Sequence, residues 1–156
     1  MSIPFILNGK PQRYEGSATD RLLDILRGDL ACPGTKSGCN EGECGACSVI
    51  LDGVLANACM VAMGRVYDTE IVTIEGFRET KQFAALDHAF GQTGAVQCGF
   101  CTPGMILAAE CLLRKNPDPS EDEIRDGLSG NMCRCTGYNA IVRAVARAAE
   151  EGRGLW

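Results

Sequence analysis

Gly38-Cys39-Asn40-Glu41-Gly42-Glu43-Cys44-Gly45-Ala46-Cys47 is the stretch that decides how this chain is read. Its cysteines follow C-x4-C-x2-C, and Cys59 lies further on. That is the ligand spacing of a plant-type [2Fe–2S] site, with three thiolates from one curling loop and a fourth from elsewhere. Gly38, Gly42 and Gly45 tolerate positive φ and let the backbone pass close to the sulfurs. Their N–H groups can then point at an anionic core. Such hydrogen bonds, with burial and net charge, tune a cluster's potential.

A second set follows: Cys98-x2-Cys101, then Cys133-x-Cys135. Together the two sets take eight of the ten cysteines. Disulfides are an alternative reading of so even and rich a count. The start Met1-Ser2-Ile3-Pro4-Phe5 has no charged n-region or long apolar run, so a cytoplasmic location is expected. Thiols there stay reduced and more often hold metals. Zinc is the other alternative. Cys-x2-Cys beside Cys-x-Cys suits a tetrahedral site of four thiolates, and for the second set it stays open. The glycine-spaced first loop is a poor zinc knuckle.

The chain has 156 residues and a net charge of −5. That charge argues against nucleic acid as a partner. No apolar run approaches the roughly 20 residues of a membrane span. The cysteine sets divide the sequence near Gly76, giving expected domains 1–76 and 77–156. Units of roughly 75–80 residues rarely hold together on apolar burial alone, and a cluster would staple each.

The first half reads as strands with one helix. Phe5–Leu7 and Gln12–Glu15 flank the hairpin signal Asn8-Gly9. Arg21 to Leu30 has helical spacing, with Thr19 or Asp20 as cap. Cys47–Leu51 and Val54–Ala56 read as strands around Asp52-Gly53, and Ile71–Ile74 as a last strand. The second half reads as helices: Lys81–Gly91, then one opened by Thr102-Pro103 and running to about Leu113. Ser120-x-x-Glu123 is a capping box for a third helix, and a fourth runs from about Gly137 to Glu151. Each pair of the second cysteine set therefore precedes a helix N-terminus, where partial positive charge favours thiolates.

Three motifs carry a family resemblance: Lys36 to Cys47, Gln97-Cys98-Gly99-Phe100-Cys101-Thr102-Pro103-Gly104, and Gly130-Asn131-Met132-Cys133-Arg134-Cys135-Thr136-Gly137-Tyr138. In this order they resemble the small iron–sulfur subunit of molybdenum hydroxylases, the xanthine dehydrogenase and aldehyde oxidoreductase family. The resemblance covers essentially the whole chain. It implies an α+β protein: a plant-ferredoxin-like β-grasp domain, then an all-α four-helix bundle, each with one [2Fe–2S] cluster. It implies a large subunit with the molybdopterin cofactor and a medium subunit with FAD, in a heterotrimer open to dimerisation. Electrons would pass from molybdenum to the C-terminal cluster, the N-terminal cluster and then flavin; some relatives run the path backwards. Gln97 and Cys135 are the positions that the resemblance sets beside the pterin, where an amide offers both donor and acceptor. Substrate turnover is expected from the complex and not from this chain alone. Ser37 and Ser48 depart from the expected pattern without being ligands.

The remaining candidates have plainer readings. Cys32 and Cys111 read as small core residues. His88 is the sole histidine, one short of a Rieske centre. Arg134, Glu41 and Glu43 suit either a role beside a cluster or plain solvation. There is no G-x-G-x-x-G or P-loop, so FAD and NAD are expected on other chains. Two other functions compete: a freestanding two-cluster ferredoxin and a zinc-stapled interaction module.

Overall fold

The structure is a computed structural model and describes residues 2–156. Strands β1 (Ser2–Leu7) and β2 (Lys10–Glu15) form an antiparallel hairpin. Asn8 and Gly9 turn it with φ of 52° and 74°, the left-handed pair such a tight turn needs. Helix α1 (Leu22–Arg27) buries Leu22, Leu23, Ile25 and Leu26 against the sheet. It is shorter than the expected span and lacks the expected cap. Asp20 instead accepts hydrogen bonds from the Tyr14 hydroxyl and the Ser17 N–H, so its carboxylate is tied to the preceding turn.

Strands β3 (Ser48–Leu51) and β4 (Val54–Asn57) pair around Asp52-Gly53. Strand β5 (Glu70–Val72) inserts between β1, to which it is parallel, and β3, to which it is antiparallel. The sheet order is β2-β1-β5-β3-β4. The last strand stops short of the expected Ile74. Asn8 Oδ1 accepts the Thr73 N–H at 2.8 Å and so replaces the ladder partner. The chain then enters a short helix, α2 (Ile74–Phe77).

Four longer helices follow: α3 (Lys81–Thr93), α4 (Thr102–Lys115), α5 (Glu121–Gly127) and α6 (Asn139–Glu151). Thr80 caps α3, and Ser120 with Glu123 closes the capping box of α5. Thr102 proves to be the first helical residue of α4, with Cys101 in the cap position and Pro103 in the first turn. Glu110, 3% exposed, is the one buried carboxylate among the described residues. It accepts from Arg114 at 2.9 Å and from the Trp156 indole at 2.6 Å. A buried charge needs such donors.

Two apolar cores result. Ile3, Phe5, Leu7, Val49, Leu51 and Ile71 pack with α1; Phe90, Met105, Leu107, Ile141 and Val145 pack among the helices. Successive side chains of a strand point to opposite faces. Accordingly Val49 and Leu51 join the first core and Ile50 joins the second, where α4 lies against β3. All four residues of β3 are buried because both of its faces are covered. Ile50→Ala should lower stability by about 2–5 kcal/mol. Chemical denaturation followed by far-UV circular dichroism checks this, and an unchanged midpoint would mean the two layers are not joined at Ile50.

Candidate metal centres

The first loop curls because Asn40, Gly42 and Gly45 adopt φ of 59°, 83° and 67°. Gly42 and Gly45 behave as expected. Gly38 takes no positive φ but does provide the expected close approach to a sulfur, since a Cβ there would stand 2.7 Å from Cys44 Sγ. Asn40 takes the left-handed turn, which asparagine tolerates better than most residues. Cys39 Sγ accepts three backbone N–H groups, from Glu41 at 3.4 Å, Glu43 at 3.3 Å and Cys44 at 3.4 Å. Cys39 N–H returns a bond to Cys44 Sγ at 3.4 Å. Asn57 Nδ2 braces the loop at Gly42 O, 2.8 Å away. Cys59 arrives on a 3-10 turn, Ala58–Met60, whose first N–H bonds Cys47 O at 3.1 Å. Its thiol then meets that of Cys47.

The second set is built at two helix starts, as expected. Cys101 directly precedes α4, and Cys133 and Cys135 lie in the loop before α6. Cys135 Sγ stands 3.5 Å from Cys98 Sγ, and the Cys101 thiol meets that of Cys133. Thr136 supports Cys133 Sγ through its hydroxyl at 3.1 Å and its N–H at 3.4 Å. Tyr138, with φ of 70°, turns the chain so that its hydroxyl accepts the Cys133 N–H at 3.0 Å. Sequence spacing gave no sign of these two supporting roles.

The thiols titrate unevenly. Backbone N–H groups of Glu41, Cys44 and Glu43 pull Cys39 down to about 7. The Phe100 N–H and the Cys135 thiol pull Cys98 down. At Cys133, burial pushes upward but Thr136 prevails and the thiol is lowered. Burial, reinforced by the neighbouring thiol, drives Cys47 up to about 11 and Cys101 up to about 12. The Cys98 thiol pushes Cys135 up. A bound metal must displace the protons that these raised thiols hold.

No two of the ten cysteines are joined by a disulfide, and each candidate set forms two close pairs. Among the described residues no three His, Cys, Asp or Glu side chains close on a single-ion site. A [2Fe–2S] core has two irons, each tetrahedral and each taking two protein thiolates beside two bridging sulfides. Paired donors with N–H groups aimed at sulfur, and a Gly38 cradle that a Cβ would fill, fit that core. Gln97, Arg134, Glu41, Glu43 and His88 are exposed. Cys32 is buried and Cys111 half-buried, and burial raises both thiols.

With iron removed and thiols reduced, Cys39 should alkylate at pH 7 about a hundredfold faster than Cys47 or Cys101, since thiolate is the reactive form and its far larger fraction at Cys39 outweighs the weaker nucleophilicity of a low-pKa thiolate. Peptide mass spectrometry reads this, and equal rates would contradict the loop geometry. Cys44→Ser should remove about two irons and leave about two in place. Loss of all iron would mean the two sets do not assemble independently.

Comparison with known proteins agrees with this geometry. Residues 5–66 match the family described as a 2Fe–2S iron–sulfur cluster binding domain, and residues 73–146 match a [2Fe–2S] binding domain. The nicotinate dehydrogenase small FeS subunit of Eubacterium barkeri is 47% identical over 96% of each chain. The xanthine dehydrogenase iron-sulfur-binding subunit of Escherichia coli O157:H7 is 39% identical, over 93% of this chain and 92% of that one. Among solved structures, quinoline 2-oxidoreductase from Pseudomonas putida 86 superposes with a TM-score of 0.91 at 39% identity, covering 98% of this chain and 96% of that one. The aldehyde oxidoreductase from Desulfovibrio desulfuricans gives 0.92 at 43% identity; this chain spans 99% of its own length but 17% of that longer chain. The chain, α+β as a whole and carrying two [2Fe–2S] domains, belongs to the family of small iron–sulfur subunits of molybdenum hydroxylases.

Proposed function

We propose that this chain carries electrons from a molybdopterin centre on a large partner subunit, through two [2Fe–2S] clusters, to FAD on a medium partner subunit. The N-terminal cluster is held by Cys39, Cys44, Cys47 and Cys59, and the C-terminal cluster by Cys98, Cys101, Cys133 and Cys135. The division into domains falls at Gly76, and the complex works in the cytoplasm. No helix among the described residues is long and apolar enough to cross a membrane.

The observation that carries this reading is the uneven exposure of the second set. Cys98 and Cys135 are exposed, whereas Cys101 and Cys133 are half-buried. Beside them Gln97 is exposed, and so are Val96, Phe100 and Met132 at 44%, 47% and 55%. Apolar side chains exposed around a functional edge mark a surface that a partner covers. A freestanding ferredoxin has no need of such a rim. In this reading Cys135 and the Gln97 amide are the groups that face the pterin, as the family resemblance implies and their exposure allows, with Gln97 donating to and accepting from the heterocycle. When bound, the molybdenum centre supplies the two-electron oxidation of substrate. This chain's residues hold the clusters, shield Cys47 and Cys59 from water, and present Cys135 at the interface.

Cluster-bound thiolates take up no proton as electrons pass, so this chain needs no acid or base of its own. Relatives named for nicotinate, xanthine and aldehydes share this kind of chain, so substrate choice belongs to the partner's pocket.

Gln97→Ala should leave iron content unchanged and the complex intact. In single-turnover mixing, substrate should then reduce the clusters about tenfold more slowly, because a small displacement at a positioned contact carries a large rate penalty. An unchanged rate would remove Gln97 from the pterin interface. If the native chain purifies alone with full iron, the freestanding carrier is the better reading.

A further inference from the structure

Several buried polar groups that neither thiol set uses meet at one side chain. Asn131 is 4% exposed and stands two residues before Cys133. Its Nδ2 donates to Gly45 O at 3.0 Å and to Ser48 Oγ at 3.1 Å. Both amide hydrogens are therefore committed to the first loop. Ser48, 3% exposed, donates its own hydroxyl to Gly45 O at 2.7 Å. Next in sequence, the Met132 N–H donates to Cys44 O at 2.9 Å.

Glycines make this approach feasible. A Cβ on Gly45 would stand 2.5 Å from Gly130 O and 2.6 Å from Asn131 Nδ2. A Cβ on Gly104 would collide with Gly45 O. Gly45 lies between Cys44 and Cys47, and Ser48 follows Cys47; Gly104 is three residues past Cys101. One buried amide thus gathers three segments that carry four of the eight candidate ligands, two from each set. A leucine of similar size would fill the space. An amide there is desolvated and tolerated only because its hydrogen bonds are made, and those bonds define one geometry. A satisfied buried network rigidifies the elements it joins.

We propose that Asn131 is a positioning residue that sets the separation and orientation of the two clusters, and so the rate at which an electron crosses between them. The proposal rests on the reading that each thiol set holds a cluster. Electron tunnelling falls exponentially with the gap, and the magnetic interaction between two reduced clusters depends on the same distance and angle. Asn131 bonds a carbonyl and a hydroxyl rather than a sulfur, so each cluster's own spectrum is insulated from its loss.

The test is Asn131→Leu in the assembled complex, read by electron paramagnetic resonance at full reduction and by freeze-quench kinetics. Iron content and the individual g values should match wild type. The spin–spin splitting should change, and inter-cluster transfer should slow by roughly tenfold. Gly104→Ala, which pushes on Gly45 O with Asn131 intact, should shift the splitting too. Ser48→Ala removes one of the two acceptors and should give a smaller shift. Wild-type splitting and rate in Asn131→Leu with full iron would overturn the proposal. So would loss of iron in Asn131→Leu combined with unchanged splitting in Ser48→Ala, which would make Asn131 a folding residue only. Absence of cluster signals from the wild-type complex would overturn the cluster assignment itself, a failure distinguishable from the others.

Discussion

Negative charge gathered into two small volumes is the constraint on which this structure depends. Four thiolates around one inorganic core repel one another unless iron and backbone N–H groups offset them. At Cys39 three N–H groups converge on one sulfur, and this requires the left-handed turn at Asn40 and the bare Cα of Gly38. At Cys133 the donors come from Thr136, held by the strained turn at Tyr138. Neither loop would keep such a shape unaided. The sheet with α1 supports one, and the starts of α4 and α6 support the other.

Strand β3 joins these supports. Cys47 precedes it, Val49 and Leu51 face α1, and Ile50 faces the helices. Ser48, noted first as an unexpected serine, lies on the helical side and meets Asn131. The strand therefore links a candidate ligand, both cores and the junction between the loops within a few residues. An electron carrier gains from this rigidity, because fixed donors and distances leave little to reorganise as charge arrives. Exposure is divided as well. Cys47 and Cys59 are buried in the first set, whereas Cys98 and Cys135 stand at the surface in the second. Exposed Met60 lies against Gly42 of the first loop, and Phe100 and Met132 flank the second set.

Much of the fold and the gathering of each cysteine set were legible in the sequence, because the cysteines lie in short loops whose spacing is local. The Asn8-Gly9 and Asp52-Gly53 turns and the Ser120–Glu123 capping box were legible for the same reason. Long-range features were not. The insertion of β5 beside β1 depends on a pairing across the whole sheet. Asp20 looked like a helix cap until folding gave it Tyr14 and Ser17 as partners, and Ile71–Ile74 looked like one strand until Asn8 took the Thr73 N–H. Gly38 met half of its reading: the expected close approach to a sulfur holds at Cys44 Sγ, but it takes no positive φ, because a contact between loop strands and not a turn fixes it. Asn131 sits inside a recognisable motif, yet nothing local shows that its partners lie more than eighty residues upstream.

The central claim is two clusters on one chain, one per thiol set. Spin quantification of the reduced native complex tests it most directly. Two distinct S = 1/2 signals, each of about one spin per chain, are predicted for two reduced [2Fe–2S] centres. A single signal of about one spin, with zinc accounting for the remaining thiolates, would contradict the claim.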